Sequence, residues 1–346
     1  MTLLRTPLFL LILSALILVQ CAESDGKRRL PRHSGEPGEV LLVMNENLWM
    51  GAPGDSLRKY LEAYVPLLPQ AEPSFKILQF SSGELSEMLK HHRNILEVVI
   101  GPDSEGQNKL TYRKEKWSNN QLVFTLKAQS QEDFYRILRN EIPKAAALIN
   151  QKEVERIQSK YKRSGKESLE EKVKNKFGVQ VLLPRDCEVY KEAENFMWIK
   201  RERIKYKGNT AHDITQGIFV YRYPYTSDKL FEQESILAKR DSILQENVPG
   251  PKDGSYMTTE YLFEPQSEEI TAGDKYAVLT RGLWKTENYF MGGPFMSITT
   301  TSNDNSEIIC VSGFVFAPKF DKREYIREIE AILKSVRISK PAEKKS

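Results

Sequence analysis

The sequence predicts an α+β protein: two layered α/β domains with mostly antiparallel sheets. Three observations lead there. Short apolar runs of strand length recur through both halves; two stretches with three- and four-residue apolar spacing punctuate them; and in the second half several strand-type runs follow one another with no helix between, which favours antiparallel pairing. The 346 residues are enough for one large core or two medium ones. The break at Ser164-Gly165, before a new apolar stripe, favours two.

Residues 1–20 read as a lipoprotein signal peptide. Arg5 supplies the positive start, Leu8 to Val19 is nearly all apolar, and Leu18-Val19-Gln20-Cys21 stands where a lipobox would end. Roughly a dozen apolar residues are too few for a permanent bilayer helix, which needs about 20. Removal is expected, with a diacylglyceryl group and palmitate-type acylation at Cys21 as the membrane anchor. Gln20 departs from the small residue usual at that position; an ordinary secretory signal and an uncleaved anchor are the alternatives. The expected location is the bacterial cell envelope, at the outer rather than the inner membrane. Residues 21–37, with Lys27, Arg28, Arg29, Arg32, Pro31 and Pro37 and no apolar periodicity, read as a flexible tether.

The first domain is expected over 38–163. Glu39 to Met44 has the length and flanking glycines of a buried strand, and Asp55 is placed to cap a helix carrying Leu57, Tyr60, Leu61 and Tyr64. Strands follow at Phe75 to Phe80, Ile95 to Ile100 and Leu122 to Leu126, with a short helix near Leu85 to Lys90. Phe134, Ile137, Leu138, Ile142, Ala145, Ile149 and Val154 then mark a long helix that Pro143 should kink or divide. The basic stretch Lys152 to Lys176 lacks interleaved aromatics and reads as a solvated helix face, with Glu170 and Lys174 at surface-pair spacing.

The second domain is expected over 164–339, followed by a polar tail at 340–346. Strands are read at Val179 to Pro184, Phe196 to Ile199, Gly217 to Tyr223, Thr258 to Phe263, Tyr276 to Trp284, Phe295 to Thr301 and Glu307 to Ala317, with a helix over Asp228 to Glu246. In the last strand Ile308, Cys310, Phe314 and Phe316 lie on one face and Ile309, Val311 and Val315 on the other, so it should be central and covered on both sides. A closing helix starts at Asp321, with Glu324 completing a capping-box-like pair. This element order resembles the PsbP-like α/β/α sandwich. Cys187 and Cys310 are the one pair left for a disulfide, although the apolar setting of Cys310 favours a buried thiol.

The motifs Arg93-Asn94-Ile95, Lys239-Arg240-Asp241, Val248-Pro249-Gly250-Pro251, Ser255-Tyr256-Met257, Arg281-Gly282-Leu283-Trp284, Phe290-Met291-Gly292-Gly293-Pro294-Phe295 and Gly313-Phe314-Val315-Phe316-Ala317-Pro318 resemble those of an uncharacterised Bacteroidota lipoprotein family, domain of unknown function 4837, over essentially the whole mature chain. The resemblance implies an envelope lipoprotein and no activity. Physically, Val248 to Pro251 and Met291 to Pro294 are rigid turns. At one end of a sheet they would frame a hollow containing Tyr256, Trp284 and Tyr289, with Arg240, Asp241 and Arg281 beside it: a setting for a protein, glycan or lipid partner. The opposing reading makes the aromatics core and pairs the arginines with Asp241 or Glu287.

Composition and motif spacing narrow the chemistry. With 51 Lys and Arg against 47 Asp and Glu the net charge of +4 is too even to point to nucleic acid. His33, His91, His92 and His212 have no metal-ligand spacing, no cofactor motif is present, and a Ser255, His212 and Asp241 triad lacks a nucleophile-elbow sequence. The expectation is a membrane-anchored, non-catalytic binding or scaffolding module; the alternative is a hydrolase of an envelope polymer, using carboxylates brought together by the fold.

Overall fold

The computed structural model describes residues 30–339; the signal peptide, Cys21, the first part of the expected tether and the C-terminal tail lie outside them. From Leu30 onward the chain belongs to the fold, which corrects the flexible tether drawn to residue 37. Main-chain bonds fix it: Asn119 donates to Pro31 O at 2.8 Å, Ser34 to His91 O at 2.8 Å and Arg93 to Ser34 O at 3.0 Å. Backbone pairing of this kind leaves no apolar periodicity to read.

The first domain carries β1 (Glu39–Val43), short α1 (Glu46–Trp49), α2 (Ala52–Leu61), β2 (Lys76–Phe80), β3 (Asn94–Ile100), β4 (Lys109–Lys114), β5 (Leu122–Ala128) and α3 (Gln131–Ser164). Its sheet runs β2-β1-β3-β5-β4. Across the whole molecule pairing is mostly antiparallel, as expected, but here β1 pairs β2 and β3 in parallel and β3 pairs β5 in parallel. Each of those strands returns by a crossover long enough to bring it back in the same direction. Leu57, Leu61, Phe134, Ile137, Leu138, Ile142 and Ile149 pack α2 and α3 on one face. The other face, with Leu41, Val43, Ile95 and Val123, is covered by Leu85, Leu89 and Trp117 from loops. There 3₁₀ turns at Ser82–Glu84 and Leu89–His91 replace the expected helix.

Two helix boundaries differ from expectation. α2 starts at Ala52 with Pro53 in its first turn, so Asp55 is inside the helix and pairs with Arg58 at 2.6 Å instead of capping. α3 runs through Pro143 undivided. Pro143 is exposed, so the carbonyl it leaves unbonded faces water, while buried Ile142 and Ala145 hold the helix to the sheet on either side.

The second domain carries α4 (Glu167–Phe177), β6 (Val179–Gln180), β7 (Glu188–Ala193), β8 (Phe196–Lys207), β9 (Thr210–Pro224), α5 (Gln233–Asn247), β10 (Tyr256–Glu260), β11 (Gln266–Ala272), β12 (Lys275–Glu287), β13 (Tyr289–Thr301), β14 (Glu307–Phe316), α6 (Arg323–Leu333) and β15 (Arg337–Ile338). An eight-stranded antiparallel sheet runs β10-β12-β13-β14-β9-β8-β7, with β11 also on β12. α5 covers one face through Leu237 and Leu244, against Phe219, Tyr221, Phe295, Cys310 and Phe314. α4 and α6 cover the other through Leu169, Val173, Ile329 and Leu333, against Val220, Ile298, Val311 and Val315. The result is an α/β/α sandwich, with β14 central and its two apolar faces divided as read. Cys187 and Cys310 are buried free thiols on opposite faces of this sheet, which settles the open disulfide question against a bridge.

The domains meet along α6. Its N-terminus has no side-chain cap of its own; the Glu72 carboxylate of the first domain accepts Lys322 N at 2.7 and 2.8 Å and Arg323 N at 2.7 Å. The expected box fails because Glu324 turns instead to Arg323 and Arg327. Arg323 Nη1 donates to Pro73 O at 2.7 Å, Arg327 Nε to Asn150 Oδ1 at 3.1 Å and Gln158 Nε2 to Ala331 O at 3.0 Å.

Candidate functional site

Only the first of the two expected turns forms, at one end of the large sheet, where Gly250 N donates to Ser255 O at 2.7 Å and Tyr256 pairs with Glu287; Met291–Pro294, expected as a second turn, lies inside β13, with Gly292 opposite Lys285 and Pro294 opposite Leu283. No hollow forms between them. A Cβ on Gly250 would collide with Ser255 and Thr286, and one on Gly293 with Val315 O, so the turn and the strand segment are both closed by packing. Trp284 is 2% exposed, donates from Nε1 to Val315 O at 3.2 Å and meets Phe314 edge-on at 5.3 Å. Tyr256 is half-buried and Tyr289 stands at the hairpin tip.

Arg240 and Asp241 also serve the core. Arg240 is 1% exposed and lies 3.8 Å over the Phe295 ring; its Nη1 donates to Asp241 Oδ1 at 3.2 Å and to Thr259 Oγ1 at 2.9 Å. Asp241 in turn accepts Thr259 N at 2.9 Å and Tyr261 Oη at 2.9 Å, tying α5 to β10 and the turn after it. Burial lowers the Arg240 pKa, and Asp241 opposes the shift. The triad written from sequence is scattered: Ser255 Oγ bonds the Lys252 carbonyl, Asp241 is engaged as above, and His212 packs edge-on against Phe320.

Arg281 is different, because β12 delivers it to a cleft between the domains. The cleft measures about 260 Å³ and is walled by Tyr60, Leu67, Leu68, Phe75, Met296 and Ile326, with Arg281, Arg323, Arg327, Glu330, Asn150 and Ser74 as its polar groups. Pro66 and Arg281 also wall an adjoining hollow of about 320 Å³ with Gln266, Ser267, Glu268 and Leu279. One rim is the loop between α2 and β2. It is closed by Val65 N to Glu72 O and Ser74 N to Ala63 O, both 2.9 Å, and at its tip Leu67 is in the left-handed region at φ 56°.

Three guanidinium groups face one carboxylate among the residues of this cleft. Arg327 is spent on Glu324, Asn150 and Ser74 O, and Arg323 on Glu324 and Pro73 O. Arg281 is the available one: 29% of its side chain is exposed, and among the described residues Nη2 alone is engaged, by Glu268 at 3.2 Å and Glu330 at 3.5 Å rather than by Glu287. Burial pushes the Glu330 carboxyl up, but Lys334 and Arg281 outweigh it and hold the group below the ordinary range, hence ionised. The same balance, with Arg327 and Arg323 outweighing burial, holds Glu324 ionised. An apolar-walled cleft with guanidinium donors suits an anionic group carrying an apolar portion.

Sequence reading found Arg281 and missed the rest of the wall. Arg323, Arg327 and Glu330 recur at four and three residues on the closing helix, one stripe beside its apolar face, and that stripe was the available signal. The loop at 65–68 carried none.

Residues 33–162 match the family model described as Domain of unknown function (DUF8532), and residues 166–335 that described as Domain of unknown function (DUF4837). No curated protein matches the chain. Among solved structures it is similar to a protein from Bacteroides thetaiotaomicron VPI-5482, at 8% identity over 47% of this chain and 46% of that one, with a TM-score of 0.24. It is also similar to the Ran-binding protein Mog1p of Saccharomyces cerevisiae, at 10% identity over 46% of this chain and 90% of that one, TM-score 0.30. A third is LpqN of Mycobacterium tuberculosis, involved in cell envelope biogenesis, at 13% identity over 47% and 83%, TM-score 0.27. The chain thus spans less than half the length of the first of these. Of the seven motifs, Arg93-Asn94-Ile95 falls in the first matched region and the other six in the second, so the resemblance to domain of unknown function 4837, expected over essentially the whole mature chain, holds over residues 166–335, and the first half matches a different family.

Proposed function

We propose that this chain is an envelope lipoprotein, anchored through lipid on Cys21, whose folded part is a non-catalytic binding module. Its ligand is an anionic group, carboxylate or phosphate, joined to an apolar portion, and it is held in the interdomain cleft. The observation that carries the reading is Arg281, with Nε and Nη1 uncommitted among the described residues, set in an apolar-walled cleft beside two arginines already fixed by neighbours. The alternative hydrolase needs a carboxyl kept protonated or a nucleophile beside a base. The carboxylate on this cleft, Glu330, is held ionised and paired with Lys334 at 2.8 Å, which favours binding.

Octyl phosphate and octanol, titrated by calorimetry into the purified chain, separate the two contributions. The native chain is expected to bind the phosphate and not the alcohol, and Arg281→Ala to weaken binding by about tenfold or more, the worth of a charge-assisted hydrogen bond, while unfolding at an unchanged urea concentration. Equal binding by the native chain and Arg281→Ala would remove the cleft from the proposal. Trp284→Ala is no test of the site, because Trp284 is core.

A further inference from the structure

The β4–β5 turn presents a fixed basic surface next to the point where the described chain begins. Arg113 and Lys114, the last two residues of the edge strand β4, and Lys116 in the turn that follows are all exposed, and none forms an ion pair among the described residues; Lys116 Nζ instead lies 3.8 Å over the Trp117 ring. Arg32, exposed and likewise without an ion pair, bridges Asn119 in the same turn. The nearest acidic residue in sequence, Glu115, accepts Asn120 N at 2.9 Å.

The turn is rigid. Buried Gln121 accepts Trp117 N at 3.0 Å and Ser118 N at 3.3 Å, and donates to Lys90 O at 2.6 Å and His92 O at 2.7 Å. Arg156, reaching from α3, donates to Asn120 O from Nε at 3.0 Å and Nη2 at 2.6 Å. Cationic side chains on so fixed a base lose little backbone freedom when they meet a charged surface.

The covering Arg113 to Trp117 would take is fixed by connectivity. Pro31 O bonds Asn119 N at 2.8 Å, so the described chain begins beside this turn. Residues 22–31, which include Lys27, Arg28 and Arg29, span at most about 36 Å when extended. With lipid on Cys21 the turn is therefore held within that distance of the bilayer. Unpaired Lys and Arg beside an amphipathic Trp match an anionic headgroup layer. In the remaining basic stretch, on α3 and α4, Lys152 pairs with Glu155, Arg156 with Glu153, and Lys172 and Lys176 with Glu192, while Lys160, Lys162, Arg163 and Lys174 are exposed without an ion pair among the described residues; only the β4–β5 turn adjoins the start of the described chain, through Pro31 O and Asn119 N.

We infer that Arg32, Arg113, Lys114, Lys116 and Trp117 form a docking surface for anionic phospholipid headgroups, which seats the first domain on the membrane beside its anchor. The inference rests on the lipid-anchor reading for its geometry and not on the cleft.

The test uses the full chain purified with its native modification, and vesicles of phosphatidylcholine with and without phosphatidylglycerol, sedimented over a range of salt. The native chain is expected to prefer the anionic vesicles, with the preference shrinking as salt rises. Arg113→Glu with Lys114→Glu and Lys116→Glu is expected to lower that preference about a hundredfold while leaving binding to neutral vesicles and the unfolding midpoint unchanged. Lys205→Glu with Lys207→Glu, at exposed positions of β8 in the second domain, should leave the preference in place. A native chain with no anionic preference, or a triple variant that keeps it, overturns the docking surface. Failure of the anchor reading is distinguishable, because neither chain would then bind neutral vesicles.

Discussion

Asp241 is the carboxylate that neutralises Arg240 in the core of the second domain, at 3.2 Å. Removing it leaves a guanidinium buried with Thr259 and the Phe295 face as its remaining neighbours. Asp241→Ala should therefore destabilise by about 3–5 kcal/mol, read as a lower urea midpoint. His33 gives a different signature. Burial, then Arg93 and Arg156, hold its imidazole at about 4, against about 6.5 in the unfolded chain. Between these values the unfolded chain binds a proton that the folded chain refuses. Its contribution is thus complete above about pH 6.5 and lost as pH falls toward about 4. His33→Gln should lose less stability than the native chain between about pH 7 and about pH 5, measured by urea unfolding at both. Sequence showed which residue types were unusual but not their surroundings. Arg240 and Arg281 both stood out as arginines beside aromatic motifs, yet one is core and the other lines a cleft.

Helices and strands were legible where one face is buried. Phe134 to Val154 and Tyr325 to Val336 gave their helices, and the two apolar faces of β14 gave its central place. The edge elements were not: β4, β7 and β11 are half-exposed or exposed strands rich in Lys and Glu, held by a neighbour's backbone rather than by an apolar face of their own. The start of α6 escaped for a related reason, since its cap comes from Glu72, about 250 residues away. Glu72→Ala should remove about 1–2 kcal/mol and speed amide exchange at Lys322 and Arg323. Unchanged exchange at those two amides would show that the helix start is held by packing alone.

At the scale of the molecule, Glu72, Asn150 and Gln158 of the first domain bond α6 of the second, and the cleft at Arg281 exists because these surfaces meet. The same junction brings Arg323 and Arg327 to its wall, so ligand capture and domain docking share side chains. By itself the sequence determined the α+β class, the two-sided burial of β14 and the break at Ser164-Gly165, because apolar periodicity and chain-breaking residues are local and follow from how each element meets its core. Only the tertiary structure decided that β1, β2, β3 and β5 pair in parallel, that Cys187 and Cys310 lie on opposite faces, that Trp284 is core and that Arg281 opens on a cleft. Those facts depend on which separate segments pack together, and a pairing between segments far apart in sequence leaves no period in the sequence of either partner.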